Sequence, residues 1–143
     1  MNVAAILDEK GRDVFSLRAD ATLSEAAALL DQKRIGAIVI VDSAGAIAGV
    51  LSERDIVRQL ARQGTGALTE AIAGCMTREV ITASPRDTIE DVMAAMTDRR
   101  IRHLPVLEEG RLAGIVSIGD VVKRKIEQTE ADAEAMKAYI ASA

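Results

Sequence analysis

The segment Gly49-Val50-Leu51-Ser52-Glu53-Arg54-Asp55 returns 65 positions later as Gly114-Ile115-Val116-Ser117-Ile118-Gly119-Asp120. In both, a glycine and two apolar residues lead to a serine, and an aspartate follows three positions on. The echo extends upstream: Thr22-Leu23-Ser24-Glu25 matches Thr88-Ile89-Glu90-Asp91 at an offset of 66. The second copy is therefore one residue shorter in its hairpin turn, where length changes cost least. A chain of this kind must fold as one unit written twice.

Each unit reads strand, helix, strand, strand, helix, an α/β (α+β) pattern. A short helix over 2–8, stopped by Gly11, precedes the first unit. Residues 14–17 form a short strand. Thr22 then caps a helix, with Glu25 completing a capping box. Its apolar stripe is Leu23, Ala26, Ala27, Leu30 and roughly Arg34. Residues 35–41 are a β-branched run read as a buried strand. After a turn at 42–45, a strand over 47–51 leads to a helix over 55–62 with Ile56, Val57 and Leu60 inward.

Gly64-Thr65-Gly66 breaks that helix, and a short helical connector spans about 68–76. The pattern restarts with a strand at 80–83 and a turn at Ser84-Pro85. A second capped helix carries the stripe Ile89, Val92, Met93 and Met96. Strands over 103–107 and 112–116 follow, then a helix from Gly119 or Asp120 to about Gln128. Pro105 lacks an N–H, so it marks a strand end or a place where the backbone faces something other than a neighbour. The divisions are 1–66, 67–128 and a tail over 129–143, whose Ala133, Met136 and Ile140 share a face suited to packing on this chain or a partner.

Hydrophobic residues make up 49% of the 143, enough for a compact core. The net charge of −4 argues against nucleic acid as the main partner. Phe15 and Tyr139 are the only aromatic residues, too few for a base-stacking platform. Basic clusters at Lys33-Arg34, at 99–103 and at 123–125 remain suited to the phosphates of a small ligand. The single Cys75 forms no internal disulfide and reads as a structural thiol, and the single His103 lacks the companions of a zinc site. No apolar stretch reaches membrane-spanning length. These features point to a soluble cytoplasmic protein with no membrane partner.

The repeated serine and aspartate carry the functional question. Ser-x-x-Asp is itself a capping box, and at Thr22 and Thr88 the corresponding pattern needs no other role. The two later copies differ because a glycine and an apolar run place the serine at the carboxyl end of a buried strand, just before a helix. Ligands collect at that edge in α/β folds. There an aspartate offers oxygens to a ribose diol and a serine hydroxyl donates to phosphate, which together describe a nucleotide.

The tandem β-α-β-β-α units ending in G-h-h-S-x-x-D resemble a pair of CBS domains, the cystathionine β-synthase regulatory module, over roughly Val14 to Gln128. Met76-Thr77 before the second unit and Arg102-His103-Leu104-Pro105-Val106 on its strand carry the resemblance further. It implies two repeats packed about a pseudo-two-fold axis (a Bateman module), a homodimer shaped as a flat disc, and adenosine-containing ligands such as AMP, ATP, NAD or S-adenosylmethionine between the copies. One cleft would use Ser52 and Asp55 with Thr77, Val80, Ile81 and His103. The other would use Ser117 and Asp120 with Val14, Phe15, Ala37 and Ile38. Arg102 and His103 resemble the family's phosphate contacts, although Arg102 equally suits a solvated charge cluster. Gly36-Ala37 stand in the first copy where Arg102-His103 stand in the second, and Arg54 adds a possible phosphate contact at the first serine. The two clefts are therefore expected to be unequal.

The implied function is a sensor of energy or redox state that binds AMP, ADP, ATP or NAD(H) and signals to a partner protein, with no catalysis and no catalytic cofactor. Two alternatives stand beside it: a scaffold with empty clefts, and an enzyme acting on nucleotides, which would need a positioned base, nucleophile or metal.

Overall fold

A computed structural model describes residues 1–142; residue 143, the end of the expected tail, lies outside the described residues. The first half contains β1 (Ser16–Arg18), α2 (Leu23–Lys33), β2 (Ala37–Val41), β3 (Ile47–Ser52) and α3 (Glu53–Gln63), preceded by α1 (Val3–Lys10). β1 runs parallel to β2, and β2 antiparallel to β3, giving the order β1-β2-β3. The second half contains α4 (Ile89–Arg99), β4 (His103–Glu108), β5 (Arg111–Ser117) and α5 (Ile118–Ser142), with β4 and β5 antiparallel.

The expected caps are in place. Thr22 and Thr88 each accept the backbone N–H of the residue three positions on, whose carboxylate accepts the cap residue's own N–H. Each such cap is worth about 1 kcal/mol.

Each half completes its core with the segment that leads into the other half. Leu23, Leu30, Ile38, Ile40 and Leu51 of the first half enclose Ala67, Ile72 and Met76 from the connector. Ile89, Val92, Leu104, Val106 and Val116 of the second enclose Val3, Ile6 and Leu7 from α1. Burying each of these larger side chains contributes about 1.5–3 kcal/mol, so the exchange ties the halves into one body. It also explains the glycine that opens each repeated motif. A Cβ on Gly49 would lie 2.8 Å from both Met76 Sδ and the Thr77 carbonyl oxygen, and one on Gly114 would lie 2.7 Å from Leu7 Cδ2. Any side chain there would push the crossing segment off its strand.

Four expectations need correction. Residues 80–82 form no strand; only Ala83 bridges β4, at Val106. The cause is Pro105. In the first half the Val39 N–H donates to the Phe15 carbonyl at 3.3 Å, and Pro105, at the position equivalent to Val39, has no proton to give Ile81. The parallel ladder therefore starts only where the Ala83 N–H reaches the Pro105 carbonyl, at 2.9 Å. Val57 does not face inward. It is 63% exposed, because Ile56 and Leu60 already fill the inner face of α3 and Val57 lies about 100° round from Ile56. Arg34 is not part of the α2 stripe but its exposed left-handed cap residue, at φ 53°. The connector is two short 3₁₀ turns, Gly64–Thr69 and Ile72–Gly74.

The last repeat helix and the tail are one continuous helix. Residues 129–142 of α5 are all exposed, so Met136 and Ile140 cover nothing on this chain. No helix among the described residues is long and apolar enough to cross a membrane.

Candidate functional site

A cleft lies between the halves. It is floored from the first half by the end of β3 and the start of α3, and walled from the second by residues 77–81 and the start of β4. Ser52, Arg54, Asp55, Thr77, Val80, Ile81, Arg102, His103 and Pro105 all line it. These residues lie up to 53 positions apart in sequence. Leu104 does not line the cleft but is buried beneath it in the second core.

Ser52 ends β3 and caps α3. Its Oγ accepts the Asp55 N–H at 3.3 Å, while Asp55 Oδ2 accepts the Ser52 N–H at 2.9 Å. The cap thus consumes one carboxylate oxygen. Among the described residues Asp55 Oδ1 makes no hydrogen bond, and the Arg58 Nη1 at 4.0 Å is too far for one, so it can still accept from a ligand. The Ser52 hydroxyl proton is likewise unspent by the cap.

Across the cleft, Val80, Ile81 and Pro105 provide apolar surface, and among the described residues the Ile81 carbonyl has no strand partner of the kind Phe15 has in Val39. An apolar wall with a carbonyl unclaimed by the ladder can pack a flat ring and accept from an amino group on its edge. His103 is half-buried. Burial pushes its imidazole below the ordinary value; Lys10 and Arg102 push the same way, while Glu53 and Asp120 oppose. It stands against Gly36, where a Cβ would lie 3.0 Å from both Cε1 and Nε2 of the ring.

The second hinge is arranged differently. Ser117 and Asp120 form the same reciprocal cap, at 3.2 and 2.9 Å. Here Asp120 Oδ2 also receives the Lys10 ammonium from α1, at 2.7 Å, and Lys10 reaches the Ile115 carbonyl at 2.9 Å. Burial raises the Asp120 carboxyl, but the Lys10 and Ser117 hydrogen bonds outweigh it and the net shift is downward. Of the residues expected to enclose this second site, Ala37 and Ile38 are buried, Ile38 completely. Val14 and Phe15 are half-buried, and the Phe15 ring lies 4.9 Å under Lys33 Nζ. A cation thus stands at both the carboxylate, on the Oδ2 that the cap already uses, and one face of the aromatic ring.

Sequence reasoning missed Arg58, Glu79 and Arg100 in the first cleft. Arg58 follows Arg54 by one helical turn, a signal open to a reader of the sequence. Arg100 lies in the noted basic cluster, but its direction depends on the cap of α4. Cys75 is a half-buried free thiol whose pKa is raised by burial and by the nearby Asp55 and Glu70.

The CBS domain family model matches residues 6–62 and 70–127. The crystal structure of the CBS-domain containing protein ATU1752 from Agrobacterium tumefaciens superposes with a TM-score of 0.86 at 43% identity, over 87% of this chain and 99% of that one. The CBS domain pair of protein MJ0100, solved in complex with 5-methylthioadenosine and S-adenosyl-L-methionine, gives a TM-score of 0.80 at 27% identity, over 90% and 98%. CBS domain protein PAE2072 from Pyrobaculum aerophilum, complexed with AMP, gives 0.75 at 28%, over 84% and 89%. Among curated proteins, the mitochondrial CBS domain-containing protein CBSX3 of Arabidopsis thaliana is 35% identical over 85% of this chain; the chain spans 61% of that relative's length. Two matched repeats, a shared cleft between them and the superpositions agree: the chain belongs to the CBS-domain family, as a CBS-domain pair.

Proposed function

We propose that this pair binds an adenine nucleotide in the first cleft and passes the bound state to a partner protein, as a cytoplasmic sensor of energy or redox state responding to AMP, ADP, ATP or NAD(H). The observation that carries the reading is the meeting of Asp55 from one half with Thr77, Ile81 and His103 from the other. Asp55 Oδ1 takes the ribose diol, and Val80, Ile81 and Pro105 hold the purine. The Ile81 carbonyl accepts from its amino group. Ser52, Arg102 and His103 meet the first phosphate. The adenine ligands of MJ0100 and PAE2072 support the ligand class.

The reading is of a binding module, not an enzyme: it uses each polar group named above to hold a ligand, and Asp55 and Ser52 are tied into a helix cap. For the partner we propose first a second copy. Val57 on α3 and Val122 on α5 occupy equivalent positions in the two repeats, and both are exposed, at 63% and 41%. A pseudo-symmetric apolar pair on one molecule suits a symmetric dimer. An effector protein then reads the bound state.

A thermal-melt screen against AMP, ADP, ATP, NAD and NADH tests the proposal. A ligand at about one hundred times its dissociation constant adds roughly 2.7 kcal/mol of stability. No shift with any of them at millimolar concentration would overturn it.

A further inference from the structure

A second groove adjoins the cleft. Arg54, Arg100 and Arg102 line both spaces, and Met96, Thr97 and Ile118 complete the groove. Its lining holds no acidic residue, whereas the cleft proper is lined by Glu53, Asp55 and Glu79 as well. Among the described residues, none of the three guanidinium groups lies within 4.0 Å of a carboxylate. Three such arginines converge here in a chain whose net charge is −4.

The duplication supplies an internal control. Arg34 and Arg100 both end a helix in the left-handed conformation, at φ 53° and 54°. Glycine adopts that conformation without the cost an arginine bears. The groove beside Arg34 also contains Asp31 and Glu53, which can balance it. The groove beside Arg100 has no such acid in its lining.

We propose that this groove holds the terminal phosphates of the nucleotide, so that the site selects nucleoside di- and triphosphates over a monophosphate. A free phosphate end fits better than a dinucleotide, because the groove offers guanidinium donors and no aromatic surface for a second base. The proposal rests on the nucleotide reading of the first cleft and specifies its ligand.

Isothermal titration of the full chain with AMP, ADP, ATP and NAD, without magnesium, tests it. ATP should bind at least about tenfold tighter than AMP, the equivalent of one charge-assisted hydrogen bond. Its affinity should also fall more steeply with salt. Arg100→Gly keeps the cap and relieves its backbone, so the fold survives, and the ratio of ATP to AMP affinity should collapse to about threefold or less. Arg54→Gln should shrink the ratio in the same direction. Equal affinities for AMP and ATP in the unmodified protein, or an unchanged ratio in both variants, would overturn the terminal-phosphate site while leaving the nucleotide reading intact. Absence of binding by all four would remove both.

Discussion

Lys10 and Asp120 stand 110 positions apart in sequence and 2.7 Å apart in space, the ammonium of the first helix set on the carboxylate of the last. In the first half the equivalent carboxylate, Asp55, has among the described residues only the longer 4.0 Å approach of Arg58, and it lines the cleft. In the proposed reading the repeated motif serves two ends: one copy takes a ligand, and the other is screened by Lys10, which stands on the same Asp120 Oδ2 that the cap uses.

Lys10→Met tests that division. The unmodified protein should bind one nucleotide per chain, and the variant should gain a second, weaker site as Asp120 is released. Titration stoichiometry reads this directly. Two equivalent sites before the substitution would contradict the screening of the second hinge by Lys10.

The same pair predicts an acid dependence. The folded Asp120 carboxyl is held below its ordinary value, so its contribution is complete above about pH 3.9 and is lost as the pH falls through the lower folded value. Asp120→Asn should flatten that part of a stability–pH curve by no more than about 1 kcal/mol, since the pair is partly exposed. Chemical denaturation at pH 6 and pH 3 gives the comparison.

Asp55→Ala separates capping from binding. Loss of the hydrogen bond to the Ser52 N–H should lower stability by about 1 kcal/mol. If Asp55 also holds ribose, nucleotide affinity should fall about tenfold or more, the cost of a lost hydrogen bond to a charged group. A stability loss with unchanged affinity would reduce Asp55 to a cap.

Pro105→Val should restore the missing donor and let the parallel ladder run back to Ile81. One added hydrogen bond gains about 1 kcal/mol, and losing the proline's restriction of the unfolded chain costs about as much. The melting temperature should hardly move. Nucleotide affinity should drop, because the Ile81 carbonyl would be taken, and hydrogen exchange should show a protected amide at position 105. A variant that binds as well as the parent would show that this carbonyl makes no ligand contact.

What could be read from the sequence was local. Each cap joins a side chain to a backbone N–H three residues away, so Thr22, Ser52, Thr88 and Ser117 announce themselves. The buried strand around Ile38 and Ile40 is equally plain from its β-branched run. Contacts set by topology were not legible. Nothing near Lys10 marks Asp120 as its partner, and nothing in α1 reveals that Val3, Ile6 and Leu7 belong to the second core. Pro105 was flagged as an awkward strand residue, yet the strand it prevents lies more than twenty positions upstream and becomes visible only once β4 is paired. Ile56 and Val57 are adjacent apolar residues on one helix, and only packing decides which of them turns inward. The first cleft was legible because the resemblance brought its distant residues together; Arg100 was missed because its direction is set by a helix cap.

The close stand of His103 against Gly36 has a consequence for the duplication. Gly36 stands where the second repeat has Arg102, and its lack of a side chain leaves room for the His103 ring. An arginine at Gly36, matching Arg102 in the second repeat, would put its Cβ 3.0 Å from the ring, so the His103 side chain would have to give way by a few tenths of an ångström. The repeats are therefore not freely exchangeable: restoring symmetry at residue 36 obliges the imidazole of the other repeat to move.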